Sequence, residues 1–190
     1  VNQNTLPISG IILAGGEGRR MGGQDKGWVE YQGRPLIECV LERLAPQVSE
    51  LLINANRNQE AYQALGYPVV SDLESGFQGP LMGILTGLQT ASQPWVLFAP
   101  CDGPFLSADL AQKLYQAAQA SGQPIAVASD GERLQPVVVL IKKDLLTPLK
   151  TAMQEGERKP DRWYASQGMV EVEFAAARLR NFNRPEDMKN

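Results

Sequence analysis

The chain of 190 residues contains no histidine and only two cysteines. Without an imidazole there is no Ser-His-Asp or Cys-His nucleophile and no histidine general base. Cys39 and Cys101 lie far apart and outside any C-x-x-C pattern, so zinc and dithiol redox chemistry lack their usual ligands. Reduced, half-buried thiols are expected. No apolar run approaches the ~18 residues of a membrane helix. Val1 to Pro7 is polar, with no basic start ahead of an apolar stretch, so no signal peptide is read and a cytoplasmic location is expected. Positive charge is not in surplus either: 18 Lys and Arg against 21 Asp and Glu leave a net charge of −3. A nucleic-acid binder normally presents the opposite balance, so neither nucleic acid nor membrane is expected as a partner. The remaining chemistry must run on carboxylates, cations and backbone donors, with or without a metal ion.

What is present is concentrated in Leu13-Ala14-Gly15-Gly16-Glu17-Gly18-Arg19-Arg20-Met21-Gly22-Gly23-Gln24-Asp25-Lys26, directly after the apolar run Ile11 to Leu13. Glycines let backbone N–H groups approach a phosphate, while Arg19, Arg20 and Lys26 supply charge-assisted donors to its oxygens. A P-loop would place Ser or Thr after the lysine, but Gly27 follows Lys26. A dinucleotide fingerprint would end in glycine where Met21 stands. The loop therefore belongs to neither class. A surface connection is the bland alternative, and three cations sharing five glycines weigh against it. A second basic cluster, Arg158-Lys159 with Arg162, also suits small anions better than a duplex.

Short β-like runs alternate with helix-like segments, the pattern of a three-layer α/β/α domain with a mostly parallel twisted sheet. Strands are expected at Gly10–Leu13, Glu50–Ala55, Pro68–Ser71, Trp95–Pro100 and Pro124–Ser129. Pro35 fits a first helical position, with Leu36, Val40 and Leu44 on one face before Pro46. Ser107 reads as an N-cap for a helix carrying Leu110, Leu114 and Ala118 and ending at Gly122. Asp130-Gly131 is a tight-turn dipeptide ahead of Gln135–Ile141, which predicts a hairpin and one antiparallel strand. Further helices are expected over Asn56–Leu65, from Asp144 through Met153, and after Pro185.

In open parallel α/β sheets, ligands bind beyond the carboxyl ends of the strands. Those positions are polar here: the glycine loop, then Asn54 with Asn56-Arg57, then Ser71-Asp72, then Cys101-Asp102-Gly103. Asp102 is the candidate Mg²⁺ ligand, because it leaves an apolar strand beside the expected phosphates and Mg²⁺ takes one or two carboxylates with phosphate oxygens and water. Its alternative is a turn aspartate bonded to its own backbone. Asp72 either faces a ligand or starts a loop, and Asn54 either bonds a ribose or base or caps a helix. Lys26 is placed to meet phosphate oxygens as a point charge. Gly79-Pro80-Leu81-Met82-Gly83 reads either as backbone that meets a base edge or as a proline-started, tightly packed helix.

In this order and spacing the residues resemble the molybdenum cofactor guanylyltransferases of the MobA type, within the nucleotidyltransferases of glycosyltransferase-A-like fold (nucleotide-diphospho-sugar transferase-like, Rossmann-like). The resemblance is carried by Ile12-Leu13-Ala14-Gly15-Gly16, Arg19-Arg20-Met21-Gly22, Asp25-Lys26-Gly27, Asn54-Ala55-Asn56-Arg57, Asp72, Gly79-Pro80-Leu81, Pro100-Cys101-Asp102, Asp130-Gly131-Glu132-Arg133 with Pro136, and Asn181 with Asn183. It covers nearly the whole chain as one nucleotidyltransferase domain. It implies that Leu13, Ala14, Gly15, Lys26, Asn54, Asp72 and Asp102 hold GTP, that Asp102 also binds Mg²⁺, and that Arg19, Lys26 and Asp102 carry the chemistry. It further implies attack of a molybdopterin phosphate on the α-phosphorus of GTP, with release of pyrophosphate. Gly16 and Gly79-Pro80-Leu81 favour guanine over the cytosine chosen by relatives with Leu-Ala-Ala-Gly in place of Leu13–Gly16. The pterin is expected toward the second half, with Asp130-Gly131-Glu132-Arg133, Arg158, Asn181 and Asn183 as its contacts. Brief contacts with cofactor-assembly proteins or acceptor molybdoenzymes are compatible with a labile product. The alternatives are a cytidylyl- or sugar-1-phosphate nucleotidylyltransferase of the same fold and a non-catalytic GTP-binding adaptor.

Overall fold

The computed structural model describes residues 5–16, 23–76, 79–182 and 187. Its strands are β1 (Ile8–Leu13), β2 (Glu30–Tyr31), β3 (Arg34–Pro35), β4 (Glu50–Asn54), β5 (Val69–Val70), β6 (Trp95–Pro100), β7 (Ile125–Ser129), β8 (Leu134–Lys142) and β9 (Met169–Glu173). Its α-helices are α1 (Leu36–Leu44), α2 (Gln59–Gln63), α3 (Leu81–Thr90), α4 (Leu110–Ser121), α5 (Leu146–Gln154) and α6 (Pro160–Gln167). Seven strands form one sheet in the order β5-β4-β1-β6-β8-β7-β9, and β2 pairs with β3 alone. β8 runs antiparallel to both neighbours, the other pairings within the seven-stranded sheet are parallel, and β2 pairs with β3 antiparallel. The expected hairpin thus exists, with β8 inserted inside the sheet. A bulge between Val127 and Ala128 adjusts its register with β7.

Period-two alternation sends successive side chains to opposite faces. On β6, Trp95, Leu97 and Ala99 join the apolar cluster under α1 and α4, while Val96 and Phe98 join the one under α3, α5 and α6. β1 divides likewise, with Ile8 and Ile12 on one side and Ile11 on the other. These two clusters make the three layers, and both faces of the sheet are covered, as parallel strands require.

Several boundaries depart from the sequence-based expectation. Pro35 ends β3 in an extended conformation, at ψ 139°, and helix α1 starts one residue later. The helix expected over Asn56–Leu65 contracts to α2, and Pro68–Ser71 contracts to the two residues of β5. Helix α4 begins at Leu110 with Asp109 in the capping position, while the Ser107 carbonyl accepts the Leu110 N–H and the Ser107 hydroxyl bonds Asp109. Gly122 ends it at φ 68°, as expected. Cys39 is half-buried, but Cys101 is fully enclosed. Of the helix expected after Pro185, only Asp187 is among the described residues, in a 3-10 conformation. No helix among the described residues is long and apolar enough to cross a membrane.

Candidate active site

Leu13 is level with Asn54 on one side and with Pro100 on the other, and Asn54 is level with Val70. Four parallel strands therefore end at one rim, and the residues that follow them are neighbours. The Ala14 N–H bonds the Asn54 carbonyl at 2.8 Å, and the Cys101 N–H bonds the Leu13 carbonyl at 3.2 Å.

On the β4 side, Asn54 is 2 % exposed and caps no helix. Its Nδ2 donates to Asp72 Oδ1 at 3.0 Å and to the Val70 carbonyl at 3.4 Å. Asn56 Nδ2 donates to the other Asp72 oxygen at 2.9 Å, and its Oδ1 accepts the Asp72 N–H at 2.8 Å. Asp72 thus stands at the start of the loop that follows β5, and its carboxylate is oriented there by two amides. A Cβ on Gly15 would stand 3.2 Å from both Asn54 Oδ1 and Asn56 Nδ2, whereas one on Gly16 would meet nothing within 4 Å. The crowded position in the Leu-Ala-Gly-Gly stretch is therefore Gly15, not Gly16. Gly83 is tighter still, since its Cβ would lie 2.9 Å from Asn54 Oδ1 and from a Leu13 methyl. Gly79-Pro80-Leu81-Met82-Gly83 is accordingly the closely packed start of α3, brought against the rim.

On the β6 side, Asp102 is only 5 % exposed and Lys26 Nζ stands 3.4 Å from its Oδ2. Burial pushes the Asp102 carboxyl above its ordinary value, against the opposing pull of the Lys26 ammonium and its hydrogen bond. The Cys101 thiol is pushed well up, first by burial and then by the charges of Asp102 and Asp25. It is a packed thiol, not a nucleophile. The C-terminal segment closes this side: the Phe182 N–H bonds the Asp102 carbonyl at 3.0 Å, and Asn181 Oδ1 would lie 3.0 Å from a Cβ on Gly103.

Asp25 was legible only as part of a loop, yet it is 7 % exposed and organises what surrounds Lys26. Its Oδ1 accepts the Tyr62 hydroxyl at 2.6 Å and the Gly27 N–H at 3.4 Å, and its Oδ2 accepts Asn58 Nδ2 at 3.0 Å. Burial, then the neighbouring Cys101 and the bond to Asp25, raise the Tyr62 hydroxyl far above its ordinary range, so it stays a donor. The buried Tyr62 was the missed signal, an aromatic inside a short polar helix.

The other expected residues divide. Arg19, Arg20 and Asn183 lie outside the described residues. Asp130 Oδ1 accepts the Glu132 and Arg133 N–H groups at 3.0 and 2.8 Å, a self-bonded turn. Asp130 nevertheless joins Gln135, Arg180 and Asn181 around a cavity of about 450 Å³. Arg158 does not line that cavity. Its guanidinium donates to the Met153 and Glu157 carbonyls at the α5–α6 junction. A larger cavity of about 680 Å³ lies between α5 and α6, and none of the expected nucleotide residues line it.

No group of three or more potential Asp, Glu or Cys ligands occurs among the described residues. The Asp102 carboxylate suits an ion that completes its shell with phosphate oxygens and water, which is how Mg²⁺ is usually held, while both Asp25 oxygens are already taken by Tyr62, Gly27 and Asn58. The donor set fits Mg²⁺ and does not fit a structural metal.

A glycine loop, a lysine–aspartate pair and an amide-braced carboxylate at the ends of a largely parallel sheet define a nucleotide-handling α/β protein. Residues 10–172 match the model of the MobA-like NTP transferase domain. Over 184 residues the chain is 47% identical to a molybdenum cofactor guanylyltransferase of Shewanella woodyi, covering 96% of this chain and 94% of that one. The chain belongs to the MobA-like NTP transferase family. A solved molybdopterin-guanine dinucleotide biosynthesis protein A from Archaeoglobus fulgidus superposes with a TM-score of 0.77 at 23% identity, over 95% of each chain. A 2-C-methyl-D-erythritol 4-phosphate cytidylyltransferase from Thermus thermophilus superposes with a TM-score of 0.71 at 19% identity, over 94% of each. These two likenesses bear on the fold, which is that of the nucleotide-diphospho-sugar transferases.

Proposed function

We propose that the chain transfers GMP from GTP to the terminal phosphate of molybdopterin, forming molybdopterin guanine dinucleotide and releasing pyrophosphate. The observation that carries the reading is the Lys26–Asp102 pair across the β1 and β6 strand ends, in a chain 47% identical to a molybdenum cofactor guanylyltransferase.

A phosphate monoester is already an anionic nucleophile at neutral pH, so the lack of histidine is no obstacle. One of its oxygens bonds the α-phosphorus of GTP as the bond from that phosphorus to the bridging oxygen breaks, and the leaving pyrophosphate keeps the electron pair. The chain's task is to align two phosphates and offset their charge. Leu13, Ala14 and Gly15 offer the backbone wall, with Asn54 and Asp72 on the nucleoside side. Lys26, with Arg19 and Arg20 of the same loop, offsets charge on the pyrophosphate. Asp102 would hold Mg²⁺ together with phosphate oxygens, and the bound ion supplies positive charge near the α-phosphate. The cavity bounded by Asp130, Gln135, Arg180 and Asn181 is the proposed pterin side, with Asn181 standing between it and Gly103. A cytoplasmic location and brief contact with cofactor-assembly or acceptor proteins belong to the same proposal.

Thermal-shift titration tests base choice. GTP is expected to stabilise the protein more than CTP or ATP, and stabilisation by CTP alone would overturn the guanylyl assignment.

A further inference from the structure

Three consecutive residues after β4 each hold a different part of the rim. Asn56 clasps Asp72 through two hydrogen bonds, at 2.9 and 2.8 Å. The Arg57 guanidinium donates through Nη1 to the Gly23 carbonyl at 2.8 Å and through Nη2 to the Gly16 carbonyl at 3.4 Å. These two carbonyls flank residues 17–22 of the glycine loop. Asn58 donates to Asp25 at 3.0 Å, and Asp25 takes Tyr62 on its other oxygen. Asn58 adopts φ 54°, a left-handed conformation that asparagine tolerates better than most side chains.

We propose that Asn56-Arg57-Asn58 is a strap that positions both sides of the site: Asn56 sets Asp72 on the nucleoside side, while on the triphosphate side Arg57 sets the span of the glycine loop and Asn58, through Asp25, sets Lys26. All three are positioning residues, and the proposal rests on reading that loop and Lys26 as the pyrophosphate wall.

The physical case is one of preorganisation. A glycine-rich segment loses more conformational freedom on ordering than other sequences, so a loop left to itself would pay that cost on each binding event. A guanidinium is a rigid planar fork, and bonding both flanking carbonyls fixes their separation before ligand arrives. Because a trans peptide sets its C=O and N–H in opposite directions, pinning the Gly23 carbonyl on Arg57 turns the Gln24 N–H away from Arg57. Asp25 then carries the constraint onward, since the bond to the Gly27 N–H fixes the turn on which Lys26 sits.

Calorimetric binding of GTP and of GMP, each with Mg²⁺, tests the strap. Only GTP places β- and γ-phosphates on the loop. Arg57→Lys keeps the charge but replaces the rigid two-nitrogen fork with a single ammonium on a flexible stem, so it is expected to weaken GTP about tenfold or more while GMP changes by less than about twofold. The KM for GTP should rise with the KM for molybdopterin unchanged. Asn58→Ala and Tyr62→Phe should shift the GTP-to-GMP ratio in the same direction, and they read the proposal should Arg57→Lys fail to fold. An unchanged ratio in all three, or full retention of GTP affinity by Arg57→Lys, overturns the strap. A wild-type chain that binds neither nucleotide overturns the nucleotide reading, and the strap with it.

Discussion

Lys26 Nζ lies 3.4 Å from Asp102 Oδ2, joining the loop after β1 to the end of β6. The two residues are 76 positions apart in sequence (102 − 26), and parallel pairing of β1 with β6 brings them together. The ammonium offsets a buried carboxylate that would otherwise be costly at neutral pH. It does so where two further anions, the reacting phosphates, are proposed to meet.

Replacing Asp102 with Asn keeps the shape of the turn and removes the charge. Pyrophosphate release should fall by about 10²-fold or more, with circular dichroism unchanged. Unaltered turnover would exclude Asp102 from the chemistry.

The same substitution should raise stability. Because burial lifts the Asp102 carboxyl above its ordinary 3.8, the folded chain retains a proton that the unfolded chain loses as pH rises past that value. Rising pH therefore favours unfolding across the interval between the two values, and the penalty persists above it. Asn carries no such penalty, so Asp102→Asn should melt higher than wild type at pH 7, the gap closing as pH falls toward 3.8. A lower melting point at pH 7 would contradict this.

Lys26→Met removes the strongest influence holding the Asp102 carboxyl down. The acidic limb of the pH–rate profile should move to higher pH, beyond the overall loss of activity. A limb that stays in place would show that the pair is not coupled during turnover.

Gly83→Ala separates crowding from helix propensity. Alanine in a helix interior is favoured over glycine by about 1 kcal/mol, but here its methyl would enter the space of Asn54 Oδ1 and Leu13. Displacing Asn54 also disturbs Asp72, so the KM for GTP should rise about tenfold with little change in melting temperature. An unchanged KM would detach Asn54 from nucleotide binding.

The buried strands were legible because their apolar runs match the sheet: Trp95–Pro100 is β6 residue for residue. Elements at the margin were not. Met169–Glu173 alternates Val with Glu as a half-exposed edge strand, too short to stand out from a loop before its pairing with β7 is known. α6 begins at Pro160 within what read as an anion-binding basic cluster, and Arg162 in fact forks onto Glu157 at 2.8 Å. Within the proposed site, the positions of Asp102 and Asp72 just beyond β6 and β5 were legible from the apolar runs that precede them. Asp25 escaped because its partners, Asn58 and Tyr62, are distant in sequence and join it only once α2 packs beneath the loop. Asn54 stood undecided between cap and ligand, since a helix start at Asn56 would have suited a cap; the start at Gln59 leaves its amide to Asp72.

Guanylyl transfer is proposed at the Lys26–Asp102 rim. A complete reaction with α-labelled GTP, Mg²⁺ and molybdopterin, run with wild type and with Asp102→Asn, tests it most directly. Label is expected in a molybdopterin guanine dinucleotide, with one pyrophosphate per product, from wild type and almost none from the variant. GTP bound by wild type without label transfer to verified, intact molybdopterin would contradict it.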